Sequence, residues 1–122
     1  MFNILIEIKA LLDNKQEIKD LVGSTKCVYA DENTPLPYIC LVKNSMEANI
    51  PNKQYTEIKG SVGIMTVSSS YSELVTLIDY INDCLHMKKT PSGYHIEFSK
   101  LNNEFYVPEE KIFISEIIYN VI

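Results

Sequence analysis

The chain predicts an α+β domain: a mostly antiparallel sheet of about five strands with two main helices on one face, ordered α(α)-β-β-β-α-β-β and carrying a long projecting hairpin or arm. Three observations predict it. Apolar residues near the start recur at helical spacing. A stretch of strict alternation from Tyr55 to Ser68 runs straight into a capped helix at Ser70. Two further strand patterns, rich in isoleucine and aromatic residues, follow that helix and reach Ile122. With 122 residues and no composition shift or repeat, residues 1–122 read as one domain.

Ile4, Leu5, Ile8, Leu11 and Leu12 form the apolar stripe of the first helix, with Asn3, Glu7, Ala10 and Asn14 on the opposite face. Asn14 with Glu17 three residues on has the form of a capping box, so a second helical piece is expected over 15–22, ending at Leu21-Val22-Gly23. A short strand covers Lys26 to Ala30, and the turn-rich stretch to Pro37 leads into the apolar run Tyr38 to Lys43. Residues 44–54, with Asn44, Ser45, Asn49, Pro51 and Asn52, read as a loop or hairpin tip. The strand over 55–68 is far longer than the typical ~5–6 residues, which is why an arm is expected.

Ser70 and Glu73 cap a helix that extends to Lys89, with Leu74, Leu77, Ile78, Ile81 and Leu85 inward, His86 on the polar face and Lys88 and Lys89 at the negative end of its dipole. Thr90-Pro91-Ser92-Gly93 stops it. Tyr94 to Leu101 is a strand, Asn102-Asn103 a tight turn and Glu104 to Val107 its return. Lys111 to Ile122 is the last strand. That strand is apolar on both sides, with Ile112, Ile114 and Ile118 on one and Phe113, Ile117, Tyr119 and Val121 on the other. One helical layer covers one side, so the second set is expected to meet a neighbouring subunit. Interface candidates are therefore Phe113, Ile117, Tyr119 and Val121 on the strand, with Ile50, Pro51 and Tyr55 on the arm.

The residues carry no recognisable chemistry. His86 and His95 lack zinc-site neighbours, and Cys27, Cys40 and Cys84 form no C-x-x-C pair and read as buried thiols, so no metal is expected. Ser68-Ser69-Ser70 lacks the glycines of a nucleophile elbow. The acid pairs Asp31-Glu32 and Glu109-Glu110 read as solvated turns, and Gly60 and Gly63 lie inside a strand, as a bulge or a close approach, not in a phosphate loop. A net charge of -5 and the lack of any arginine argue against specific nucleic-acid binding. No apolar run reaches the ~20 residues of a membrane span, so no membrane role is expected. The start has no signal-peptide pattern.

The order of elements and its punctuation resembles the tail completion and tail-terminator family of tailed bacteriophages, in a small subset known as a domain of unknown function. The residues are Leu21-Val22-Gly23 closing the first helices, Val28-Tyr29, the Pro37-Tyr38-Ile39 strand start, the long strand from Gly60 to Ser68 entering the helix at Ser70, and the closing strand. Relatives carry an acidic residue and a tryptophan late in the long strand, where this chain has Met65-Thr66-Val67. The resemblance implies a ring, usually of six copies, that caps the tail tube and forms the head–tail joining surface. Implied partners are the chain itself, the tail-tube protein and the head–tail connector. The implied place is the tail or neck of a virion assembled in the host bacterial cytoplasm, with no enzyme activity and no cofactor. The alternative is a small cytoplasmic adaptor or immunity-type protein acting as a monomer or dimer.

Overall fold

The computed structural model describes residues 3–22, 24–27, 35–52 and 55–122, with side chains at 3–22, 35–42 and 60–122. Among the described residues the elements run α1 (Ile4–Asp13), α2 (Gln16–Leu21), β1 (Ser24–Cys27), β2 (Tyr38–Asn52), β3 (Tyr55–Ser68), α3 (Tyr71–Leu85), β4 (Lys88–Lys89), β5 (His95–Val107) and β6 (Ile112–Val121). The fold class is the expected one. The strands form one sheet in the order β1-β2-β3-β6-β5-β4, with β1 parallel to β2 and every other pairing antiparallel. Among the described residues no helix is long and apolar enough to cross a membrane.

The core lies between the helices and one face of the sheet. Ile4, Leu5, Ile8 and Leu12 of α1, Ile18 of α2 and Leu77, Ile81 and Leu85 of α3 pack on Ile39, Leu41, Val62, Ile64, Ile96, Ile117, Tyr119 and Val121. Burial of such side chains, at roughly 1.5–3 kcal/mol each, is what holds these short helices on the sheet. Glu7 departs from the expectation of a wet face. Its side chain is buried and its Oε1 accepts a hydrogen bond from the Ser92 N–H at 2.8 Å, tying α1 to the turn after β4.

Local chemistry sets the helix ends. Ser70 Oγ accepts from the Glu73 N–H at 3.4 Å, as its capping role requires. The Glu73 carboxylate accepts from Ser68 Oγ at 2.7 Å instead of closing the box. Asn14 does not cap α2: it ends α1, its N–H bonding the Ala10 carbonyl, and α2 starts after Lys15. Leu21 ends α2 and Val22 is extended, while Gly23 and residues 28–34 lie outside the described residues. The third helix stops at Leu85, short of the expected Lys89. His86 turns extended, Met87 has φ of 61° and its N–H bonds the Ile96 carbonyl at 2.8 Å, so Lys88 and Lys89 pair as β4 with Ile96 and His95.

Two expectations about strands are corrected. Residues 44–52 are not a loop: β2 continues to Asn52, its backbone paired with β3 through register shifts between Lys43 and Ser45 and between Asn49 and Asn52. Both shifts put the extra residue on β2 and not at Gly60 or Gly63, and a Cβ on Gly63 would meet only ordinary contacts at 3.6 Å or more. Nor do Asn102 and Asn103 form a turn. The strand β5 runs unbroken along β6, which offers a continuous ladder, and the irregularity is absorbed as shifts between Phe98 and Lys100 and between Leu101 and Asn103. Asn102 Nδ2 donates to Glu116 Oε1 at 2.6 Å. The reversal comes at Pro108–Lys111, where Lys111 has φ of 56° and bonds the Val107 carbonyl.

The arm is present as a two-stranded ribbon. Gly60 is the first β3 residue paired with β6, opposite Val121, and β1 pairs only with Tyr38 to Leu41. Tyr55 to Lys59 and the facing part of β2 therefore pair only with each other among the described residues, an overhang of about 17 Å.

Candidate interaction surface

Cross-strand register determines which side chains share a face. Phe113, Ser115, Ile117, Tyr119 and Val121 lie on the helix side with their β3 partners Ser68, Thr66, Ile64, Val62 and Gly60. The interface candidates Ile117, Tyr119 and Val121 are thus no more than 2% exposed, within the subunit's own core. They have no surface to give a neighbour. Ile112 and Ile118, on the other face, are also buried, and Ile114 is half-buried there. Ile50, Pro51 and Tyr55 stand at the outer end of the arm, where Asn52 pairs with Tyr55. Phe113 is half-buried and belongs to an aromatic cluster, its ring 5.5 Å from Tyr71 and 4.7 Å from Tyr106.

That cluster opens onto a surface that sequence spacing did not reveal. Three contacts fix α3 and its C-terminal cap, two of them against β5 and one against β6. The Tyr71 hydroxyl donates to Glu104 Oε1 at 2.8 Å, the Tyr119 hydroxyl donates to Asn82 Oδ1 at 2.9 Å, and the Phe98 N–H donates to His86 Nδ1 at 3.0 Å. Helical spacing puts Val75 on the same stripe, four residues after Tyr71 and seven before Asn82. On β5, Phe98, Leu101, Glu104 and Tyr106 pair with Tyr119, Ile117, Ser115 and Phe113 and so face the same side. The result is a groove between α3 and β5 lined by Tyr71, Val75, Phe98, Leu101 and Tyr106, whose side chains are 39% to 51% exposed. Phe98 packs edge-on to Tyr119 at 5.7 Å. Monomers rarely leave this much large apolar surface together without a use for it.

The groove has no polar chemistry of its own. The Glu104 carboxylate engages the Tyr71 hydroxyl and raises its pKa. Burial, aided by nearby Cys84, pushes the Tyr119 hydroxyl well above its ordinary value, and burial likewise raises the Cys84 thiol, whose Sγ bonds the Leu11 carbonyl at 3.3 Å. These are protonated groups satisfied within the fold. Ser68 and Ser70 serve α3, Glu109 and Glu110 sit exposed in the last turn, and Asp31-Glu32 lies outside the described residues. No group of three metal-ligating side chains exists among the described residues.

No family model matches the chain, and no curated protein matches its sequence. Solved structures do match in fold. A chain of the structure titled "Virion of native gene transfer agent (GTA) particle" aligns with a TM-score of 0.75 over 95% of this chain and 90% of that one, at 12% identity. At that identity the likeness is one of fold.

Proposed function

From a fold shared with a virion chain, we propose that this protein is a structural component of a phage-like virion that works by assembling with copies of itself. Within that class we assign it to tail termination: a ring on the end of the tail tube that presents the head–tail joining surface, without catalysis or cofactor. The observation that carries the reading is the exposed apolar groove on a subunit that also projects an arm. A monomeric carrier or adaptor gains nothing from leaving both uncovered, whereas an assembling subunit buries both on joining. The element order is what the resemblance to tail-terminator proteins implies: Leu21 ends α2, Tyr38 and Ile39 open β2, and Gly60 to Ser68 runs along β3 toward α3.

The test is genetic and biochemical. Particles made without the chain are expected to contain heads and tails that do not join, and adding purified protein is expected to restore joining. Its absence from purified particles, or a monomer that restores nothing, would sink the proposal.

A further inference from the structure

We infer that the groove between α3 and β5 is the seat for the β2–β3 arm of a second copy, so that each copy gives its arm to one neighbour and takes an arm from another. This deepens the assembly reading above and rests on it. The arm cannot serve its own groove. It leaves the sheet past Gly60, at the end where Val121 and Ile96 pair, while the groove starts inside that end at Phe98 opposite Tyr119 and runs away from it to Tyr106 opposite Phe113.

The dimensions agree. From Tyr119 to Phe113 is six residue steps, so the groove is about 20 Å long, against an overhang of about 17 Å. In sequence the end of the arm carries Ile50, Pro51 and Tyr55 among polar residues, and these three suit a seat lined by Val75, Leu101 and Phe98.

The seat is the groove and not the free edge of β5. Register shifts on either side of Lys100 interrupt that edge, so a new strand cannot pair along it. A contact between an arm and a distant groove is heterologous, and such contacts close into rings when the rotation allows.

Three proteins test this by sedimentation from micromolar to millimolar: the wild-type chain, Leu101→Asp in the groove, and Ile50→Asp in the arm, each checked for fold by circular dichroism. Wild-type protein is expected to associate and each variant to associate at least tenfold more weakly. Mixed together, the two variants are expected to form a one-to-one dimer, since one keeps an intact arm and the other an intact groove. Variants that assemble like wild type, or a mixture that stays monomeric, would overturn the arm-in-groove contact while leaving self-assembly standing. Wild-type protein that is monomeric at millimolar concentration would overturn both.

Discussion

Tyr119 shows how a single position ties three elements together. Its ring sits in the core, its edge meets Phe98 on β5, and its hydroxyl reaches Asn82 on α3. Replacing it as Tyr119→Phe removes only that hydrogen bond and is expected to cost about 1 kcal/mol in urea unfolding at neutral pH. The pH dependence has a definite sign. Tyr119 and Cys84 both have raised pKa values in the fold, so the unfolded chain loses these protons first as pH rises. Stability from keeping them neutral is complete below about pH 8 and declines above roughly pH 9. Tyr119→Phe is expected to make the alkaline decline shallower, and an unchanged slope would show that Tyr119 is not its source. Ile117→Asp places a charge in the core and is expected to unfold the chain outright, at a cost above roughly 4 kcal/mol. A folded Ile117→Asp protein by circular dichroism would contradict the burial. The alternation of β6 was legible in the sequence, but its inward face was not: both sets of side chains are apolar, so the pattern is symmetric, and only the landing of the helices breaks the tie.

Among the elements, α3 and the β3 strand were the most legible, because a capping serine, a helical stripe and strict alternation are local signals. The groove was hidden for the opposite reason. Shifts on both sides of Lys100 throw the side chains of β5 out of period two, so Phe98, Leu101 and Tyr106 share a face without sharing a parity. Glu7 was misplaced because its partner, the Ser92 N–H, is 85 residues away. The arm is separable from the core that α1 and α3 cover. Joining Met46 directly to Gly60, its register partner, through an Asn-Gly turn should leave the sheet intact. The shortened protein is expected to melt within a few degrees of wild type by circular dichroism and to lose self-association. A large loss of stability would mean that the arm belongs to the core.

For the whole molecule, charge decides what an assembly of copies can hold. Each copy carries -5, with Glu109 and Glu110 exposed in the last turn, and a ring multiplies that field within a screening length of ~10 Å. Phosphates should be repelled. Purified protein is expected to leave duplex DNA unshifted in a gel even at low salt. Tight binding that salt abolishes would favour a nucleic-acid-binding role instead.

The position of β6 has a consequence during synthesis. It lies between β3 and β5 and is made after both, so the two halves of the sheet stay unjoined until Ile112–Val121 has emerged. A product cut short before that strand also lacks Ile117, Tyr119 and Val121, and with them the floor on which α1 and α3 settle. Such a fragment cannot take up the native shape. Putting β6 at the centre makes the fold its own inspection step: a message broken before it yields waste for proteases, not a misshapen copy.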